Sequence, residues 1–173
     1  MSSIPTASEC LEILKKNGCS DEVVAHCKAV RDVAIKMAHL AKADIALVEA
    51  GALLHDIGRS KTQGIFHVVE GVEIAKKIGL PDKIVKIIER HIGGGISKQE
   101  AIKLGLPEKD YIPITLEEKI VCHSDSLIDN YKQQKIDREI EKALNKGHKE
   151  YASRLNALHK ELSNICGIDL NYI

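Results

Sequence analysis

Leu53-Leu54-His55-Asp56-Ile57-Gly58-Arg59 places an imidazole and a carboxylate next to each other at the end of an apolar segment. The residues from Ile45 to about Ile57 are apolar on nearly every side, which predicts a central, buried helix capped by Asp44. Two groups that bind metals and are costly to bury therefore lie where apolar side chains would be sufficient. One such pair is weak evidence of a site, because chance and helix capping also produce it, so its meaning depends on partners elsewhere in the chain.

Further imidazoles and a carboxylate supply these partners, at His26, His67, His91 and Asp125. Each lies in a segment with helical periodicity: His26 beside the apolar stripe from Val23 to Ala41, His91 on one face with Ile88, and Asp125 in line with Val121 and Ile128. Separate helices can therefore bring the six side chains together. A mixture of nitrogen and oxygen ligands suits iron, manganese, cobalt or zinc better than magnesium or calcium, which prefer oxygen alone.

Capping and glycine signals divide the whole chain into short helices. Thr6 to Glu9, Ser97 to Glu100 and Thr115 to Glu118 have the form of capping boxes, and Ser20 and Asp82 are further predicted caps. No segment has the alternation of a convincing strand. We predict an all-α, compact bundle that forms a single domain over residues 1–173, with the metal-site core at about 20–130. A C-terminal helical extension at about 132–173 is expected to form a pocket edge or a homodimer surface.

The composition limits the classes of partner and the cellular compartment. The 173 residues contain 25 Lys plus Arg and 25 Asp plus Glu, so no overall field attracts the protein to nucleic acid or to an anionic membrane. Five scattered cysteines without a CxxC arrangement indicate reduced thiols. No signal peptide and no continuous apolar run long enough for a membrane span is present, so we expect a cytoplasmic protein.

The ordered set His26, His55-Asp56, His67, His91 and Asp125 resembles the HD-domain superfamily of metal-dependent phosphohydrolases, in the version that contains His-Asp-Ile-Gly. The resemblance covers roughly residues 20 to 130. It implies that His26, His55, Asp56 and Asp125 bind metal. His67, four residues before Gly71, and His91 match the positions that hold a second metal in the family. Ile92 differs from the branch with the Gly-Tyr-Pro signature, which carries paired histidines there.

The resemblance also implies roles for the catalytic residues. It predicts two divalent transition-metal ions, iron or manganese with cobalt, nickel or zinc as alternatives, bridged by Asp56. Arg59 lies where relatives often carry lysine, and we predict that it clamps the phosphate; Arg31 and Arg90 are weaker candidates. The remaining histidines are predicted to be non-ligands: His39, His123, His148 and His159. No organic cofactor is expected.

The predicted function is hydrolysis of a small phosphorylated or cyclic-phosphate metabolite, a nucleotide or a pterin, by a metal-activated hydroxide. In its small size the chain is similar to the phosphodiesterases of this superfamily that open dihydroneopterin 2′,3′-cyclic phosphate. Two alternatives remain open. Di-iron oxygenases of the same fold use the same six ligands, and some HD relatives are signalling modules without catalysis. Oxygen consumption would distinguish the first alternative, and the intact ligand set argues against the second.

Overall fold

A computed structural model describes residues 3–173 of the chain. It confirms the prediction of an all-α fold. Its helices within that range are α1 (Ala7–Lys16), α2 (Asp21–Ala41), α3 (Ile45–Leu54), α4 (His67–Lys77), α5 (Asp82–Glu89), α6 (Lys98–Lys103), α7 (Leu116–Ser126), α8 (Ile136–Asn145) and α9 (Lys149–Cys166). Two 3-10 turns, Ile57–Ser60 and Leu170–Tyr172, and a small hairpin of β1 (Ile128–Asp129) and β2 (Lys132–Gln133) complete these elements.

Helix α3 lies at the centre of the bundle. Seven of its ten residues are buried, as its apolar composition predicts, and it packs against α2, α5 and α7. Gly51 faces Ile87 of α5 so closely that an added Cβ would lie 2.6 Å from the isoleucine Cδ1. This contact holds the end of α3, where His55 follows, against the neighbouring helices.

The predicted helix starts agree with the structure except at Asp82, and the capping box predicted at Thr115 is half formed, because the Glu118 carboxylate accepts from the amide of Ile114 and not from that of Thr115. The Ser20 and Asp44 side chains accept hydrogen bonds from the amides of Val23 and Leu47, which caps α2 and α3. The prediction of Asp82 as a cap is wrong: Pro81 precedes the first turn and Asp82 is the first residue of α5. A proline carbonyl can start a helix without a side-chain cap, and the carboxylate then stabilises the positive end of the helix.

The predicted ends of two helices are also wrong, and so is the prediction that the chain forms no strand. Helix α3 ends at Leu54, because the chain tightens into the 3-10 turn after Asp56. Helix α7 ends at Ser126, so that Ile128 lies in a strand. Asn130 adopts the left-handed conformation with φ of 58°, which reverses the chain and allows Ile128 to pair with Gln133 in a short hairpin.

The C-terminal helices pack onto the same core as the segment that contains the ligands. Leu155, Leu158 and Leu162 of α9 belong to the main hydrophobic cluster. At Gly94 an added Cβ would lie 2.7 Å from the backbone nitrogen of Leu155, so the absence of a side chain allows α9 to approach. These contacts support the proposal of a single domain. In residues 3–173, no helix combines the length and the apolar character needed to cross a bilayer.

Candidate metal centre

The turn that follows Asp56 determines where the first two candidate ligands point. His55 and Asp56 leave the last turn of α3, and the 3-10 turn then carries Gly58 against the start of α4. A Cβ on Gly58 would lie 1.9 Å from the carbonyl oxygen of His67 and 2.6 Å from the amide nitrogen of Gly71. The absence of side chains at Gly58 and Gly71 thus allows the backbone of the 3-10 turn to touch the backbone at the start of α4. This contact places His67 beside Asp56.

The structure brings all six predicted side chains together. On one side, Asp125 Oδ1 lies 2.9 Å from His26 Nε2 and 3.5 Å from His55 Nε2. On the other side, Asp56 Oδ1 lies 3.1 Å from His67 Nε2 and 3.4 Å from His91 Nε2. The second oxygen of Asp56 faces the first side, 3.6 Å from His55 Nε2 and 3.8 Å from His26 Nε2. Asp56 therefore connects two groups of nitrogen and oxygen atoms.

Hydrogen bonds to the backbone fix the orientation of the four imidazoles. The Nδ1 atoms of His55, His67 and His91 lie 2.7–2.8 Å from the carbonyl oxygens three residues earlier in the chain, those of Ala52, Gly64 and Ile88. His26 Nδ1 makes the corresponding contact with the carbonyl of Asn130 in the hairpin turn. A carbonyl only accepts, so each Nδ1 donates a proton, and in the neutral ring Nε2 then presents a lone pair. All four lone pairs point into the site.

This arrangement leaves electron-rich atoms facing one another. His67 Nε2 lies 3.0 Å from His91 Nε2, and in their neutral forms neither ring has a proton to place between them. His55 Nε2 and Asp56 Oδ1 are buried and have no hydrogen-bond partner among the described residues. Buried polar atoms are normally satisfied, and a ligating imidazole commonly donates its other nitrogen to a carbonyl. The donor set fits divalent metal ions, which would occupy the positions to which these lone pairs point.

Without metal, the charges in the site perturb its titration. Burial disfavours the imidazolium of His55, but neighbouring groups, the Asp56 carboxylate foremost, outweigh burial and raise the pKa of His55 well above its usual value. Burial also disfavours the Asp56 carboxylate, yet His55, His67 and His91 hold the pKa of Asp56 well below its usual value. Burial lowers the pKa of His91. Protons and metal ions would compete for the same ligand atoms, so metal binding to this site is expected to depend on pH.

The three candidate arginines differ in their contacts. Arg59 Nε donates to Asp56 Oδ2 at 2.6 Å and Arg59 Nη1 donates to the carbonyl of Gln63, whereas Arg59 Nη2 has no hydrogen-bond partner within residues 3–173. Arg31 pairs with Asp32 and Glu49, and Arg90 pairs with Glu118. Neither Arg31 nor Arg90 lines the cavity over the site. Of the three, Arg59 alone lies at the cavity.

A cavity of about 630 Å³ opens over the site, and five of the six side chains line it, whereas His55 lies fully buried beneath them. His123 and His159 lie away from it and pair with each other, with 3.0 Å between His123 Nε2 and His159 Nδ1. The C-terminal extension contributes Glu139 and Tyr151 to the wall, in agreement with the expectation that it forms a pocket edge. No sequence pattern pointed to these two residues. Their helices carry no ligand pattern, and only the tertiary packing of α8 and α9 places them there.

The sequence and the fold have counterparts among known proteins. The HD-domain family model matches residues 23–129. The chain is 48% identical over 170 residues to a protein of Picrophilus torridus named tRNA (cytidine(56)-2′-O)-methyltransferase, an alignment that covers 98% of this chain and 50% of that protein. It is also 50% identical over 163 residues to an uncharacterized protein of Methanocaldococcus jannaschii, covering 90% of this chain and 95% of the relative. The chain thus spans about half the length of its methyltransferase-named relatives.

A solved structure shares the fold. The HD domain of the L. monocytogenes phosphodiesterase PgpH, in complex with cyclic-di-AMP, superposes with a TM-score of 0.58 at 21% identity, covering 89% of this chain and 96% of that domain. At this identity the likeness concerns the fold alone. The family match extends from α2 to the hairpin and includes all six converging side chains. The chain belongs to the HD-domain family.

Proposed function

We propose that this protein is a metal-dependent phosphodiesterase that acts on a small, nucleotide-containing phosphoester. The observation that carries the proposal is the convergence of four imidazole lone pairs and two carboxylates beneath a cavity that also contains an arginine. Among residues 3–173, the only permanently positive side chain in contact with the Asp56 carboxylate is that of Arg59. A site so rich in electron pairs is suited to bind cations and, through them, an anionic ester.

Two groups of residues would hold two ions. His26, His55 and Asp125 form one group, and His67 and His91 the other, with one oxygen of Asp56 directed towards each. When bound, divalent ions would lower the pKa of coordinated water and withdraw charge from phosphoryl oxygens. The backbone carbonyls that accept from each Nδ1 keep the Nε2 atoms available as ligands.

Arg59 is the group of this chain that we assign to the substrate. Its Nε is held by Asp56, so the guanidinium is fixed in orientation, while Nη2 is left to donate to a non-bridging phosphoryl oxygen. A planar, permanently charged donor in a defined position stabilises the charge that develops on phosphoryl oxygens during transfer. The Asp56 carboxylate would thus bind the metal ions and would also hold the arginine in position.

The cavity supports a substrate of nucleotide size. Its volume of about 630 Å³ lies within the ~300–1,000 Å³ typical of small-molecule sites. A pterin carrying a cyclic phosphate is an alternative of similar size. The PgpH domain, which shares the fold, binds the cyclic dinucleotide cyclic-di-AMP, and this favours the nucleotide over the pterin.

The test is a screen of the metal-loaded protein. Bis(p-nitrophenyl) phosphate, nucleoside 2′,3′-cyclic phosphates, cyclic-di-AMP and dihydroneopterin 2′,3′-cyclic phosphate are supplied with Mn²⁺ or, anaerobically, with Fe²⁺. We expect hydrolysis of at least one phosphodiester, lost in His26→Ala and retained in His39→Ala, a matched histidine exposed on the same helix. Oxygen uptake without release of an ester product would instead support the oxygenase, and neither activity would support the non-catalytic module.

A second candidate substrate is an RNA phosphoester. It is favoured by the two relatives named as tRNA methyltransferases, each of which contains a counterpart of nearly this whole chain within a protein about twice as long. Adding unmodified tRNA, and tRNA with a 2′,3′-cyclic phosphate end, to the same screen distinguishes the candidates. Turnover of the RNA at a higher kcat/KM than of any free nucleotide would establish the second.

A further inference from the structure

A second groove adjoins the cavity over the metal centre. It has a volume of about 400 Å³, and we call it the side groove. Its apolar lining comes from Ile65, Ile92, Ile96, Leu104, Ala143 and Tyr151. Ile65, Ile92 and Tyr151 also line the cavity over the metal centre, so the two spaces are neighbours. A ligand that is too long for the cavity alone can extend into the side groove.

The polar residues of the side groove leave it with an excess of positive charge. Glu100 accepts a hydrogen bond from Arg154 at 2.6 Å, and Glu139 accepts one from Lys142 at 2.6 Å, so both carboxylates are already paired. The two remaining lysines of the lining, Lys103 and Lys146, are exposed and have no ion-pair or hydrogen-bond partner within the described range 3–173. Two unpaired ammonium groups beside an apolar surface suit an amphipathic anion.

We propose that the side groove binds the second nucleotide unit of a dinucleotide substrate. This inference rests on the proposed function, since it places the scissile phosphate over the metal centre. The heterocycle of the neighbouring nucleoside then lies against Ile92 and Leu104, and the next phosphate of the chain pairs with Lys103 and Lys146. The preferred substrates are accordingly phosphodiesters with a second phosphate one nucleoside away from the scissile one.

Tyr151 has a specific place in this arrangement. It lies in the first turns of α9 and lines both spaces. Gly93 accommodates its ring, because a Cβ there would lie 1.7 Å from the tyrosine oxygen. The ring thus lies between the metal centre and the side groove, with the Arg154 guanidinium 6.0 Å from its centroid, and we assign to it a stacking contact with the base. The C-terminal helices, which follow the segment matched by the family model, supply this specificity.

Equilibrium binding to the metal-loaded protein, with probes whose scissile phosphodiester is replaced by a non-hydrolysable phosphonate, tests the proposal without turnover. The probes are a fluorescent linear dinucleotide with a terminal phosphate and the same dinucleotide without it, and the readout is fluorescence anisotropy. We expect the terminal phosphate to tighten binding to the parent protein by about tenfold, equivalent to about 1.4 kcal/mol. Lys103→Glu/Lys146→Glu should remove that preference and leave the affinity for the unphosphorylated probe unchanged.

Matched variants separate a local effect from a general effect of charge. Lys15→Glu/Lys36→Glu makes the same charge change at exposed lysines outside the described cavities, and we expect it to keep the preference. Leu104→Asp should weaken both probes, because it removes an apolar contact with the heterocycle. The proposal is overturned if the parent protein binds neither probe, if the terminal phosphate has no effect, or if both double variants lose affinity equally.

Hydrolysis of bis(p-nitrophenyl) phosphate by the metal-loaded protein reports on the proposed function alone, because this ester has no second phosphate. Lys103→Glu/Lys146→Glu should hydrolyse it at the rate of the parent protein, since neither lysine lies at the metal centre. A parent protein that binds the phosphorylated dinucleotide with the expected preference but cleaves no phosphodiester would support the side groove and contradict the proposed function.

Discussion

Replacing Gly58 with alanine should damage the metal centre from a position that carries no ligand. The added Cβ would lie 1.9 Å from the carbonyl oxygen of His67, whereas real Cβ contacts are essentially never shorter than 3.0 Å. The two backbone segments must therefore separate by about 1 Å. Overpacking of this kind lowers the free energy of unfolding by about 1–3 kcal/mol, occasionally more. Since the displaced atoms belong to His67 itself, its Nε2 should leave its position 3.1 Å from Asp56 Oδ1.

Gly64 provides the matched control for this substitution. It lies in the same connection between α3 and α4, and a Cβ there would meet no atom within 4 Å. Thermal unfolding followed by circular dichroism and metal content by mass spectrometry are measured on both variants. For a chain of this size we expect Gly58→Ala to lower Tm by roughly 2–4 °C for each kcal/mol lost, with bound metal reduced by about one ion. Gly64→Ala should match the parent protein. Equal Tm and equal metal content in the two variants would refute the close-contact argument.

Three further substitutions probe the charges of the site and of the core. Asp56→Ala should remove more metal than either His67→Ala or His91→Ala while helicity is kept, and full metal content in it would exclude Asp56 from the site. Arg59→Ala should lower kcat for phosphodiesters by about 10²–10³-fold at unchanged metal content; unchanged kinetics would make Arg59 an ordinary surface cation. Glu89 is buried, which raises its pKa, but hydrogen bonds and charge from Lys109 and Lys86 outweigh burial and lower it overall. A lowered pKa gives stability that is present above the unfolded pKa and lost as pH falls through the folded one. Glu89→Gln should therefore unfold more easily than the parent at pH 7, by on the order of 1–3 kcal/mol, and the difference should shrink below about pH 4; a difference that is independent of pH would contradict this.

Local chemistry made part of the site predictable from the sequence. The apolar run before His55 and the cap at Asp44 define α3 without any tertiary information. The ligand order itself matched a family pattern, and the structure brings those side chains together. Three of the imidazoles are oriented by the carbonyl three residues earlier in the chain, as for His55 and Ala52, an interaction of local range.

Contacts between distant segments could not be predicted in the same way. The carbonyl that orients His26 belongs to Asn130, 104 residues away, in a hairpin whose strands are too short to show an alternating pattern. The Gly58 contact with the start of α4 likewise depends on how two segments meet, which residue spacing does not encode. Tyr151 reaches the cavity only because α9 packs against the glycines at 93 and 94. The ends of α3 and α7, at Leu54 and Ser126, also differ from the prediction, because a 3-10 turn follows the first helix and a short hairpin follows the second.

The central claim is that two groups of residues bind two metal ions through a shared Asp56. Anomalous scattering at the absorption edge of the bound metal, from crystals of the fully loaded protein, tests it most directly. We expect two peaks, one in contact with His26, His55 and Asp125 and the other with His67 and His91, both touching the carboxylate of Asp56. A single peak in the loaded parent, or a second peak away from His67 and His91, would contradict the claim.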